Sequence, residues 1–164
     1  MNKLIIVCGQ TGAGKTTYSV KICNELNAIK FSIDPWMQTL FSKDMRSLDF
    51  SWMMERVERC QKQIWEVSEQ VLKSGGSVVL DLGFTTKLQR QLFVEKADQI
   101  GIFAEVHYIK ASVETRRKRV KKRNSEKDPT LYAFEVTDEM FDFMEPRFES
   151  PGEDELKNGK EISI

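Results

Sequence analysis

The sequence predicts an α/β fold in which a parallel sheet is covered by helices on both faces. Three observations predict it. Short apolar runs of strand length alternate with stretches of helical period. A glycine-rich octapeptide, Gly9-Gln10-Thr11-Gly12-Ala13-Gly14-Lys15-Thr16, separates the first strand from the first helix. Two aspartates, Asp34 and Asp81, close the second and third strands. Strand–helix–strand units within one sheet cross over right-handedly, so the strands run parallel.

The elements follow in order. Residues 4–7, Leu-Ile-Ile-Val, are a β-branched run suited to a strand buried on both faces. A helix starts at Lys15, with Tyr18, Ile22 and Leu26 on one side. A second strand is expected over 28–33 and a short helix over 36–41. The longest helix spans 52–74, where Met53, Val57, Cys60, Ile64, Val67 and Val71 recur every three or four residues. Gly75 and Gly76 stop it. A third strand over 78–81 leads to a helix over 86–100, with Leu88, Leu92 and Ile100 inward. After a fourth strand over 102–109, Ser112 caps a basic helix reaching about Arg123. Polar residues around Pro129 predict a mobile loop over 124–136. Thr137 caps a last helix carrying Phe141, Met144 and Phe148, and 162–164 add an edge strand.

Composition narrows the function. The 164 residues fit one domain. The 25 basic and 25 acidic residues cancel, so any attraction to nucleic acid or membrane must be local. Three widely spaced cysteines, Cys8, Cys23 and Cys60, form no C-x-x-C pair, which suggests neither a disulfide framework nor a zinc site. The lone His107 reads as structural. The first apolar run is too short for a signal peptide or membrane span, and reduced thiols indicate a cytoplasmic protein. Nothing in the sequence specifies an oligomeric state.

The octapeptide satisfies G-x-x-x-x-G-K-[ST]. Its glycines let backbone N–H groups approach phosphate oxygens, and the following helix adds the partial positive charge of its N-terminus. The nucleotide-binding set is Gly9, Thr11, Gly12, Ala13, Gly14, Lys15, Thr16 and Thr17. Lys15 would reach the β- and γ-phosphates of ATP, and Thr16 would place a hydroxyl on Mg²⁺. Asp81, after three apolar residues, would hold the same Mg²⁺. Leu82 follows it where motor ATPases commonly carry a glutamate that activates water. Asp34 is the substrate-side carboxylate, able to orient an acceptor hydroxyl and accept its proton. It also suits a helix cap before Pro35.

Every residue of 116–123 except Val120 is basic, and Arg116, Arg119 and Arg123 share one helix face. The pattern fits a lid over 112–137 that closes on the nucleotide, a solvated helix, or a nucleic-acid patch.

Together these features resemble the small P-loop kinases of the AAA-domain group that includes chloramphenicol phosphotransferase, zeta toxins and the kinase domain of polynucleotide kinase. The segments FSIDPWMQTLF, WMMERVERCQKQIW, VVLDLGF and EVTDEMFDFMEPRFESP resemble a bacterial branch of ATP-binding proteins in that group. The resemblance implies a three-layer α/β/α P-loop NTPase with a five-stranded parallel sheet in the order 2-3-1-4-5 and a helical lid. It implies that Asp34 acts on the acceptor, that Arg119 stacks on adenine and that Arg123 contacts phosphates. It also implies that Arg90 meets substrate and that the acidic loop at Pro151 and Gly152 lies near the adenine. No basic residue stands between Asp34 and Lys43, which argues against a phosphorylated or highly anionic acceptor. Trp36, Met37, Phe41, Trp52 and Met53 point to an apolar acceptor pocket. The expected activity is transfer of the γ-phosphate of ATP to a hydroxyl of a small molecule. The alternatives are a nucleotide-binding regulatory ATPase and a 5′-hydroxyl nucleic-acid kinase.

Overall fold

The computed structural model describes residues 1–44, 49–127 and 135–164. The strands are β1 (Lys3–Cys8), β2 (Ile29–Ser32), β3 (Val78–Phe84), β4 (Phe103–Lys110) and β5 (Lys160–Ser163). The helices among the described residues are α1 (Lys15–Leu26), α2 (Ile33–Phe41), α3 (Phe50–Lys73), α4 (Lys87–Gln99), α5 (Val113–Glu126), α6 (Asp138–Met144) and α7 (Glu153–Leu156). One sheet in the order β2-β3-β1-β4-β5 joins all five strands, and every pairing is parallel. This is the P-loop NTPase-like topology.

Alternation along β1 separates the two faces. Leu4, Ile6 and Cys8 point into a core shared with Cys60, Ile64 and Leu72 of α3 and Phe93 and Ala97 of α4. Ile5 and Val7 point the other way, to Ile22 of α1 with Tyr18 and Leu26 beside it. β1 is sealed on both sides, which is why it reads as an unbroken apolar run.

Several boundaries differ from expectation. β2 ends at Ser32 and α2 begins at Ile33, so Asp34 lies in the first helical turn and not at a strand end. Pro35 fits there because the first turn of a helix needs no N–H from it. β3 runs through Asp81 to Phe84. α5 continues to Glu126, where Lys127 takes a left-handed cap with φ 49°. The part of the expected lid that falls on 128–134 lies outside the described residues.

α4 is rotated from the expected face. Leu88 and Leu92 are 75% and 49% exposed, whereas Arg90, Phe93 and Ala97 are buried. Its start explains the rotation. Thr86 Oγ1 accepts from Gln89 N, the Gln89 side chain accepts from Thr86 N, and Glu149 accepts from Lys87 N at 2.7 Å. With its first turn so fixed, Arg90 points inward.

Candidate active site

The phosphate loop leaves β1 at Cys8 and enters α1 at Lys15. Ala13 N donates to the Gln10 carbonyl at 3.1 Å, which closes the turn. Gly12 has φ +78°, and a Cβ there would stand 2.6 Å from the Arg116 carbonyl oxygen. The bare backbone at Gly12 therefore serves close contact with α5 as well as the turn itself. By helix geometry the first N–H groups of α1 have no partner within the helix, so they face the loop's concavity.

Four charged residues meet at the carboxyl edge of the sheet. Lys15 Nζ donates to the Gln10 carbonyl at 3.2 Å, folded across its own loop. Burial lowers its pKa, opposed by the charges of Asp81 and Asp34. Asp81, 6% exposed, accepts from Thr16 Oγ1 at 3.2 Å. Burial raises its carboxyl; Lys15 and the Thr16 hydrogen bond pull it back, and Asp34 raises it further. The surrounding protein also raises Asp34, against Lys15 and Arg123. The Asp34 side chain reaches solvent, which moderates that rise. Arg123 of α5 is close enough for its charge to act on both Lys15 and Asp34, and its Nε is buried without a hydrogen-bond partner among the described residues.

Ser32 adds a group that the sequence reading passed over. It pairs in register with Asp81 across β2 and β3. Phe31 and Leu80 point into the α3 face, so Ser32 and Asp81 point together to the α1 face, where Thr16 lies. Its hydroxyl is buried, makes no cap bond to α2, and has no partner among the described residues. A buried carboxylate, a threonine hydroxyl and an orphaned serine hydroxyl make an oxygen-only set that fits a hard divalent cation. Thr16, Asp81 and Ser32 are thus the residues that would hold Mg²⁺. When bound, the ion would neutralise charge on the β- and γ-phosphates.

Glu145, in a 3₁₀ turn after α6, ties the rim together. It accepts from Gln10 Nε2 at 3.0 Å and from both terminal nitrogens of Arg116. Arg116, only 2% exposed, also donates to the Thr11 and Ala111 carbonyls. A cavity beside the loop is lined by Lys15, Gly83, Phe84, Met144, Glu145 and Phe148. Gln10 and Glu145 carried no sequence signal because their partners are far away in the chain.

Arg119 Nη1 donates to the Ala13 carbonyl at 3.0 Å, so this arginine does reach the phosphate loop. Arg90 lies under α7. It is fully buried, with Nε and Nη2 on the Glu155 carboxylate at 2.7 and 3.0 Å. The acidic segment after Pro151 is likewise taken up by α4, through Lys87–Asp154 as well as Arg90–Glu155. Ile164, by contrast, comes close to Gly14. Trp36 is half-buried, edge-on to Phe31 with ring centroids 6.4 Å apart, and packs on the core, which leaves only part of it for a ligand.

This sheet order, with a phosphate loop at the first crossover and a basic helix packed over it, defines the class of P-loop NTPase-like proteins. The chain belongs to the AAA domain family, whose pattern matches residues 4–151. No curated protein matches the sequence. Among solved structures, it is similar to a candidate kinase from Chloroflexus aurantiacus, with TM-score 0.74 and 18% identity, covering 99% of this chain and 84% of that one. It is similar to Chaetomium thermophilum Kti12 in complex with ADP-AlF3, with TM-score 0.73 and 18% identity over 98% and 88%. A gluconokinase from Sinorhizobium meliloti gives TM-score 0.61 and 15% identity over 99% and 82%. At these identities the likeness speaks for the fold. No helix among the described residues is long and apolar enough to cross a membrane.

Proposed function

We propose that the protein transfers the γ-phosphate of ATP, with Mg²⁺, to a hydroxyl of a small molecule. The observation that carries this reading is that the charges of Lys15 and Arg123 both act on Asp34, while Thr16 and Asp81 pair beside Lys15. Motor ATPases commonly carry an acid that activates water next to the strand-end carboxylate, and that position here is Leu82, 1% exposed. Asp34 instead stands on a separate element, where an acceptor can enter between it and the phosphates.

In the proposed step the acceptor oxygen forms a bond to the γ-phosphorus as the bond to the β,γ-bridging oxygen breaks. The hydroxyl proton passes to Asp34, and ADP leaves with the bridging oxygen. Lys15 and Arg123 stabilise charge on the transferring group, and Arg119 holds the nucleotide side of the loop. The upward shift of the Asp34 carboxyl suits a proton acceptor.

The exposed basic residues of α5 give little support to a nucleic-acid substrate. Lys118 pairs with Glu114, Lys122 with Glu126, and Arg117 with Asp142, while Lys121 approaches Asp138. Incubation with γ-labelled ATP, Mg²⁺ and hydroxyl-bearing small molecules should place label on an acceptor. Slow release of phosphate with no labelled acceptor would favour a nucleotide-binding regulatory ATPase. Label on the 5′ end of an oligonucleotide alone would favour the nucleic-acid kinase.

A further inference from the structure

Helix α3 rises past the carboxyl edge of the sheet. Gln61 Nε2 donates at 3.3 Å to the carbonyl of Leu82, close to the end of β3. Arg56 lies five residues further towards the start of α3, about 7.5 Å along the axis at 1.5 Å per residue. It precedes Cys60 by one turn and Ile64 by two, on the face those residues bury. The buried stripe of α3 thus ends in a guanidinium, beyond the sheet edge from which the phosphate loop also springs.

That guanidinium is packed beside two aromatic rings. Its carbon stands 3.7 Å from the Trp52 ring centroid and 5.8 Å from that of Phe41, and the side chain is 21% exposed. Among the described residues it donates to the Trp52 carbonyl at 3.1 Å and touches Glu55 at 3.5 Å. Glu55 is 53% exposed and is also gripped by Arg59. Of the buried arginines, Arg116 has both terminal nitrogens on Glu145, and Arg90 is held by Glu155 with only its Nη1 left over. Among the described residues Arg56 therefore keeps donors to spare, on a planar fork packed beside aromatic rings and partly shielded from water. Such a fork matches the two oxygens of a carboxylate or phosphate.

We propose that Arg56 binds an oxyanion carried by the acceptor, so that the substrate is a hydroxyl compound bearing a carboxylate or a phosphate. The proposal rests on the kinase reading above. It revises the expectation against a phosphorylated or highly anionic acceptor, because the next long helix offers the cation that is missing after Asp34.

Trp52 makes the site its own reporter. Protein saturated with Mg²⁺ and the non-transferable ATP analogue AMPPNP, so that the γ-phosphate position is filled too, is titrated with inorganic phosphate and separately with acetate while tryptophan emission is followed. A saturable response to one anion and not the other identifies the group carried by the acceptor. Arg56→Gln should weaken that response about tenfold or more and Arg56→Lys by less, with MgADP affinity within about twofold in both. The lysine variant keeps the charge should the glutamine variant fold poorly. An unchanged response in both variants, or no saturable response to either anion in the wild type, overturns the proposal. Label transferred only to uncharged hydroxyl compounds would do the same. Absence of label on every acceptor would count against the kinase reading, whereas the titration reads Arg56 independently of transfer.

Discussion

His107 shows how one buried side chain can set a response to pH without touching the cleft. It is 1% exposed, with Nε2 2.8 Å from the Glu105 carboxylate and Nδ1 2.8 Å from the Tyr18 hydroxyl. A carboxylate can only accept, so Nε2 donates to it, and the Tyr18 hydroxyl donates to Nδ1 of a neutral ring. Burial lowers the His107 pKa below the usual 6.5 and outweighs the pull of Glu105; Lys160 and Lys3 push in the same direction as burial. The unfolded chain therefore binds this proton first, and stability falls as pH drops below 6.5. For Glu105, burial raises the pKa, but hydrogen bonds from Lys3 and His107 outweigh it, so its own loss begins only below 4.5. Asp34 and Asp81, both raised, act in the opposite sense. Comparison with a variant isolates the histidine. Between about pH 7 and pH 5 the wild-type Tm should fall more steeply than that of His107→Gln by calorimetry; parallel slopes would refute the assignment.

Among the elements, α5 holds the phosphate loop in shape. Arg116 joins the loop carbonyl of Thr11, the carbonyl of Ala111 and the carboxylate of Glu145. Arg116→Ala should cost about 3–5 kcal/mol in denaturant unfolding, because Glu145 and two carbonyls lose a buried charged partner. MgADP affinity should fall with it. Lys118→Ala, on the exposed side of the same helix, should leave both quantities unchanged. Most elements were legible from local pattern. The strand–loop–helix at Gly9 to Thr16, the period of α3 and the Ser112 and Thr137 caps depend on neighbours in the chain, and the caps form as expected, on Thr115 N and Met140 N. The face of α4 was not legible. Its inward residues begin with an arginine whose partner, Glu155, lies in α7, and no apolar period can announce a buried ion pair.

At the scale of the whole molecule, the parallel sheet brings distant residues to one edge. Asp34 and Asp81 could be read as site residues because strand order alone sends both to the carboxyl end. Ser32, Gln10, Glu145 and Arg56 could not, since their meaning comes from strand register, long-range hydrogen bonds and aromatic packing. The central claim is that these parts form a transferase in which Asp34 serves the acceptor. The most direct test compares wild type with Asp34→Asn, measuring the rate of phosphoryl transfer to the labelled acceptor and the affinity for MgADP. Transfer should fall about 10²–10⁴-fold, as loss of a general base predicts, while MgADP affinity stays within about twofold. Undiminished transfer by Asp34→Asn would contradict the account.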